Sequence, residues 1–408
     1  MRKILLFLFP IFLFAENLKT ILEYAHQNNN LIISAKYAKE AKSEIVESKK
    51  SSYFPTIDVG GFYENKTNTT YFQIPDTYGA YSKISLNIYD GGMSKARLNE
   101  SKNEYLAASY DESEMKKSLS LEVVRDFFEY KSLEAHLKAK EDAKKSIAEQ
   151  LERVKRFVEA KLATQDDVQR LQAAYDTTLY EMESLTFEIL SIKKHLELRV
   201  GKKLQNLEDS SFDEADFLDI EEADAIKSLL YKQNAMLQSA EAIESIYYPT
   251  INFQDTYSYY GYKNIESNHP AKIDYQNIAT LTLNMRIFDY GAQKEVKKSL
   301  LLSSKAINEE IVYKTDEQKM YHELSIIRLN SAKLKIKSAN SALDASKSAF
   351  ETISKKYSAG IVDYVVYLEA LSASTNAKAL YKRSLNDMQV AYAMLYYYSG
   401  KKIEEYIR

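Results

Sequence analysis

Residue types that ordinarily carry chemistry are sparse and scattered in this 408-residue chain. There is no cysteine, which excludes disulfides, thiol nucleophiles, cysteine metal sites and lipoprotein anchoring. The five histidines, His26, His136, His195, His269 and His322, stand far apart, and none has a partner at metal-binding spacing. Carboxylates are densest from Glu208 to Asp224, where nine acids occur without a base. That stretch lacks the register and glycine turn of a calcium loop and reads as a solvated linker. Asp90-Gly91-Gly92 is a hinge from strand to helix rather than a phosphate cradle, and no nucleophile motif appears. Lysine and arginine total 55 against 58 acids, a net charge of -3, so no basic excess argues for nucleic acid. The sequence thus points away from an enzyme, a metal site or a cofactor, and toward architecture.

The architecture centres on Thr280 to Gly291, TLTLNMRIFDYG. Leu281, Leu283, Met285 and Ile287 alternate with Thr282, Asn284 and Arg286, the period of a strand with one apolar face. The strand is expected to run to Asp289 and Gly291, where a long helical pattern begins. The same junction appears at Lys83 to Gly92, where Ile84, Leu86, Ile88 and Asp90 stand 199 residues before Leu283, Met285, Ile287 and Asp289. Asp90 and Asp289, just ahead of helices, fit N-capping better than ion binding, with Gly92 and Gly291 beside them.

Residues 1–15 read as an export signal: basic Arg2 and Lys3, apolar Ile4 to Phe14, and Ala15 for cleavage, so the mature chain should start near Glu16. The apolar run falls short of the ~20 residues a spanning helix needs. Tyrosine is abundant, 33 residues against ten glycines and five prolines. Few helix breakers imply long helices, and tyrosine suits a water–lipid boundary, where a ring needs one apolar and one wet end.

The order of elements is read as follows. Leu18 to Ser51 is a helix ended by Tyr53-Phe54-Pro55, and Thr56 to Glu64 and Gly79 to Tyr89 are strands. Met93 to Ala160 lacks glycine and proline entirely, a rod of ~100 Å at ~1.5 Å per residue. Ile147, Leu151, Val154 and Val158 give it a coiled-coil seam. A turn at 161–164 leads to a return helix that ends at Gly201. After the linker at 207–224 the plan repeats. Tyr247-Tyr248-Pro249 matches the first proline break at an offset of 194, and Gly360 and Gly400 match Lys161 and Gly201 at 199. Repeat 1 is thus 16–206 and repeat 2 is 225–408, with its turn at 360–363. The four strands are apolar on one face and polar on the other, with lengths near the ~9–11 residues of a membrane strand. Four strands cannot close a barrel, so several copies are required.

These features together resemble the TolC-type outer-membrane efflux proteins: signal peptide, two repeats, YFP/YYP breaks, D-G junctions, and a turn with Tyr357, Gly360 and Leu368. The resemblance implies a mainly helical fold with membrane β-structure. A homotrimer would form a 12-stranded barrel in outer-membrane lipid, continuous with a periplasmic α-helical barrel. It further implies a periplasmic adaptor, an inner-membrane pump of RND or ABC type, and passive export of drugs or secreted polypeptides. The competing reading is an exported coiled-coil scaffold or adaptor without a barrel.

The resemblance also implies a gate at the helix-turn tips. By position, Glu369 matches an acid that rings the lumen, while Val366 replaces a second one. Asp167 and Tyr357 match members of a closing hydrogen-bond network, and Val362 stands where that network has an arginine. Lys161 replaces the glycine of the first turn. A latch of different contacts is expected, with Asp166 or Asp167 bonding Tyr357, and Asp363 as a further candidate.

Overall fold

The computed structural model describes residues 16–215, 217–263, 265 and 269–408. The export segment at 1–15 and part of the Lys263–Lys272 loop, Asn268 included, lie outside the described residues. The first repeat contains α1 (Leu18–Asn28), α2 (Asn30–Ser51), β1 (Thr56–Asn65), β2 (Asp76–Tyr89), α3 (Met93–Glu159) and α4 (Gln165–Val200). The second contains α5 (Asp224–Glu244), β3 (Thr250–Tyr262), β4 (Tyr275–Asn284), α6 (Ala292–Ser358) and α7 (Tyr364–Tyr398). Helices α3 and α6 each run 67 residues without interruption. Among the described residues, no helix is long and apolar enough to cross a membrane, and no cluster of acids and histidines could hold a metal ion.

Two compact units cut across the repeats. One comprises Lys36–Asp111 and Ala225–Lys314; the other comprises the described part of Met1–Ala35, Glu112–Asp224 and Thr315–Arg408. The second unit holds the main core. Leu18, Ile21 and Leu22 of α1, Val124 and Phe127 of α3, Leu196 of α4, and Tyr392, Leu395 and Tyr396 of α7 are buried together. The coiled-coil seam forms as the spacing predicts, with Ile147, Leu151 and Val154 buried.

One expectation is corrected in this unit and a second is refined. The helix expected over Leu18 to Ser51 breaks at Asn29, which is extended at φ -69°, ψ 128°. Its side chain explains the break: Oδ1 accepts from the amides of Leu31 and Ile32, starting α2, and Nδ2 donates to the Arg199 carbonyl at 2.7 Å. Most acids of the linker are exposed, as expected of a solvated segment, but the linker is also anchored to the core at a few points. Phe212 is buried, and backbone bridges join Glu16 to Leu207 and Phe212 to Ile407. The Tyr396 hydroxyl donates to the Asp213 carbonyl, and Asp224 is buried against Lys117 at 2.8 Å. Several of the acids find cations: Asp209 with Lys131, Asp213 with Arg408, and Glu221 with Lys401. Nine like charges would otherwise repel, and these partners come from distant parts of the chain.

The other unit carries an antiparallel sheet in the order β1-β2-β3-β4. Its register puts Ile57, Ile84, Asp255 and Ala279 in one cross-strand row, and Leu86, Phe253 and Leu281 in another row of the same face. Asp58, Lys83, Asn252, Gln254, Thr280 and Thr282 occupy the opposite face, where Asp58 and Lys83 pair at 3.4 Å. Strand β4 ends at Asn284, five residues before Asp289, although the alternation continues to Ile287. The cause is the partner strand. Thr250, the first residue of β3, already faces Asn284, and Pro249 before it has no amide to donate. Strand β2 reaches Tyr89 because a register shift after Asn87 lets it face Ile251.

Aromatic rings cover glycines across this sheet: Tyr81 lies over Gly60, Tyr78 over Gly261 and Phe62 over Gly79. At Gly79 a Cβ would also sit 2.3 Å from the Tyr259 carbonyl oxygen, a backbone atom that cannot turn aside. Gly79→Ala should therefore destabilise the sheet by about 1–3 kcal/mol, the range for overpacking. A lowered urea midpoint should report this in detergent-solubilised protein, and an unchanged midpoint would show that the strands separate freely at that point.

Candidate functional site: the helix-turn tips and the strand–helix junctions

The two tips are built alike from unlike residues. At the end of α3, the Lys161 amide donates to the Val158 carbonyl at 2.9 Å and the Leu162 amide to the Phe157 carbonyl at 2.7 Å. At the end of α6, the Gly360 amide donates to Tyr357 and the Ile361 amide to Lys356, at 3.1 and 2.9 Å. Both form the paired closing bonds of a Schellman turn, which requires a left-handed residue. Gly360 supplies it at φ +72°, and Lys161 is held there at φ +60°. The return helices start on side-chain caps. Thr164 and Asp167 cap each other reciprocally at α4, and Asp363 accepts from the Val366 amide at 3.1 Å at α7.

The aspartates expected at the latch are engaged locally within the chain. Asp167 receives the Thr164 amide and hydroxyl at 3.0 and 2.7 Å, and Asp166 pairs with Arg170 at 2.8 Å. Neither bonds Tyr357 within the chain, because local helix-start geometry already uses both carboxylates. Tyr357 instead stacks on buried Tyr367 with centroids 4.9 Å apart. Burial, and next the Asp167 carboxylate, push the Tyr357 hydroxyl above its ordinary pKa, with Arg153 opposing and Asp363 adding. Burial above all pushes Tyr367 up to about 12. Glu369 and Asp363 are exposed.

Two arginines join the hairpins, and sequence reasoning missed both. Arg153 on α3 donates to the Ser358 carbonyl at the end of α6 at 2.5 Å and lies over Phe157. Arg170 on α4 pairs with Asp166 and sits 5.8 Å from the Tyr364 ring of α7. The one available signal was the i,i+4 spacing of Asp166 and Arg170.

At the junctions, Asp90 and Asp289 perform the capping their positions suggested. Asp90 accepts from the Gly92 amide at 3.2 Å and the Ser94 amide at 2.9 Å. Asp289 accepts from the Gly291 and Gln293 amides at 3.0 and 3.3 Å and from the Tyr247 hydroxyl at 2.8 Å. Desolvation opposes ionisation of Asp289, yet the bonds from Tyr247, Gln293 and Gly291 hold its carboxyl below the usual range. Gly92 and Gly291 are both left-handed, at φ +91° and +82°.

The turn geometry makes Lys161 the strained member of its pair. A left-handed non-glycine residue costs about 1–2 kcal/mol, offset in a glycine variant by about 0.5–1 kcal/mol of extra unfolded-chain entropy. Lys161→Gly should therefore slow amide exchange at 158–164, whereas Gly360→Ala should speed it at 357–363. No atom lies within 4 Å of a Cβ built at Gly360, so the second effect would come from φ alone. Equal exchange in both variants would remove strain from the account.

Residues 21–196 match the family model described as outer membrane efflux protein. None of the proteins of curated function matches by sequence. Among solved structures, the outer membrane protein VceC of Vibrio cholerae superposes with a TM-score of 0.82 at 12% identity, covering 95% of this chain and 96% of that one. The CmeC outer membrane channel of Campylobacter jejuni gives 0.81 at 14% identity, over 94% of this chain and 86% of its own. The open-state MtrE outer membrane channel of Neisseria gonorrhoeae gives 0.77 at 13%, over 95% and 89%. At such identities the likeness is one of fold. By fold over nearly its whole length, the chain is built like these outer membrane channels, and residues 21–196 match the outer membrane efflux protein model.

Proposed function

We propose that the chain is the outer-membrane exit channel of a tripartite efflux or type I secretion system, conducting substrates passively from the periplasmic side to the exterior. The observation that carries this reading is the sheet. Its apolar face is open: Val59, Tyr63, Leu281 and Leu283 are all more than 60% exposed. Its edge strands β1 and β4 each have one neighbour only. Apolar strands with open edges are an aggregation hazard in water and are not tolerated in lipid. Closure with the same strands of other copies satisfies both faces and both edges. Three copies, the number the family resemblance implies, supply twelve strands and leave the Asp58–Lys83 face toward an aqueous lumen.

We propose that α3, α4, α6 and α7 of each copy contribute to a helical conduit in the periplasm. A periplasmic adaptor would dock on it, and an inner-membrane pump of RND or ABC type would load it. The tips would form the entrance, with Glu369 toward the lumen, Arg153 and Arg170 joining neighbouring hairpins, and Asp166, Asp167, Tyr357 and Asp363 shaping the turns that they join. Nothing in this arrangement calls for catalysis or a cofactor. The work is done by the pump, and the channel supplies a path.

Extraction separates this reading from that of an exported coiled-coil scaffold. The mature protein should stay with membranes until detergent is added and should then run as a trimer; a soluble monomer without detergent would exclude the barrel. Glu369 can be tested apart from the fold. In planar bilayers, Glu369→Gln should weaken block of the wild-type conductance by divalent or trivalent cations several-fold, since a ring of carboxylates attracts them. Unchanged block would place Glu369 outside the lumen.

A further inference from the structure

The two strand–helix junctions are not equivalent, and the second has a cleft of about 470 Å³. It exists because β4 leaves the ladder at Asn284, so Met285 to Asp289 run unpaired beside the start of α6. Ile287 and Phe288, 87% and 71% exposed, form an apolar wall. Gln293, Lys294 and Lys297 from the first turns of α6 form a polar wall, and Glu244, Tyr247 and Asp289 also line the cleft, with Arg286 beside it. At the first junction, 199 residues earlier, Arg286 is replaced by Asn87, Lys297 by Leu98, Lys298 by Asn99 and Tyr290 by Gly91.

The charges here are partly cancelled. Lys297 is held by Glu244 at 2.7 Å, and Lys298 lies 3.9 Å from Glu295. Asp289 is engaged by Tyr247 and two amides, with Arg286 near enough to favour its ionised form. Lys294 is exposed and makes no ion pair among the described residues. A cation beside bare apolar side chains suits an amphiphile with an anionic head. Tyr290 adds a second sign: it is 93% exposed and held left-handed at φ +56°, where Gly91 serves in the first copy. A ring kept in that unfavourable position suits the aromatic belt at a membrane boundary.

We propose that this cleft binds an anionic glycerophospholipid of the periplasmic leaflet. Its phosphate would lie at Lys294 and Arg286, and its acyl chains along Ile287, Phe288 and the row of Met285, Leu283 and Leu281. The site rests on the reading of the sheet as a membrane wall, because that reading puts the end of β4 at the level of lipid headgroups. The apolar face of β4 continues directly into the apolar wall of the cleft; with Lys297 taken by Glu244 and Asp289 offset by Arg286, Lys294 is the cation left over, and it favours an anionic over a zwitterionic head.

Native mass spectrometry of the detergent-solubilised protein tests it, with phosphatidylglycerol and phosphatidylethanolamine of identical acyl chains as probes. The wild type should retain phosphatidylglycerol preferentially. Removing both cations in Arg286→Ala/Lys294→Ala should cut that retention about 25-fold, at about 1 kcal/mol per basic residue. Lys95→Ala, at the first junction, should leave retention unchanged. Equal retention of the two lipids, undiminished retention in the double variant, or preferential retention of lipopolysaccharide would each overturn the site. Planar-bilayer conductance of the same samples keeps the two readings apart. A conducting wild type without lipid preference removes the lipid site alone, and a wild type that never conducts removes the channel reading and the site with it. A double variant that conducts like the wild type but has lost lipid supports the site without appeal to misfolding.

Discussion

Everything in this structure depends on a four-stranded sheet that cannot be satisfied by itself. Each backbone amide and carbonyl removed from water needs a partner, and a strand edge in hydrocarbon has none. Strands β1 and β4 expose such edges, and the face bearing Val59, Tyr63, Leu281 and Leu283 exposes apolar side chains as well. Cross-copy closure, as proposed here, resolves both problems at once. Within the chain the sheet is compact at its glycines: Gly79 lets β2 approach the Tyr259 carbonyl more closely than any side chain would permit.

The helices face a different problem. Sixty-seven residues of helix without glycine or proline need a continuous seam, and the seam is narrow, with Ile147, Leu151 and Val154 at one tip and Tyr367 and Leu371 beside them. The broad core lies where α1, α3, α4, α6 and α7 all contribute, and the linker and the carboxy-terminal residues are tied into it through Phe212, Ile403 and Ile407. Stability is thus concentrated in that core, while the tips rely on turn geometry, caps and a few ring contacts. A region held by few buried contacts opens at lower cost, which fits an entrance better than a rigid scaffold.

Duplication gave both halves the same plan, and the copies now differ at buried and exposed positions alike, Val124 standing where the second repeat has exposed Glu323. Lys161 and Gly360 take the same left-handed turn, as do Tyr290 and Gly91, and in each pair the non-glycine member bears strain that its counterpart avoids. Asp90 and Asp289 kept the same capping duty, since loss of a cap costs about 1 kcal/mol wherever it occurs. The surroundings of the second junction differ from the first at exposed positions such as Arg286 and Tyr290, where the first has Asn87 and Gly91.

Local periodicity determined much of this protein from sequence. Strand alternation, the glycine-free runs, the coiled-coil steps and the 199-residue offset all follow from fixed backbone geometry, so the repeats, hairpins and capping aspartates were legible. Tertiary structure decided what depends on residues far apart in the chain. Asn29 breaks a helix because the Arg199 carbonyl is there to receive it; β4 stops because β3 begins at Thr250. The acidic linker stays largely exposed but is tethered because Lys131, Lys117, Lys401 and Arg408 come to meet it. At the tips, Asp167 is held by Thr164 and Asp166 by Arg170, while Arg153 reaches the Ser358 carbonyl of the other hairpin. Spacing along the chain fixes what each segment can be, and only proximity in space fixes which partner it finds.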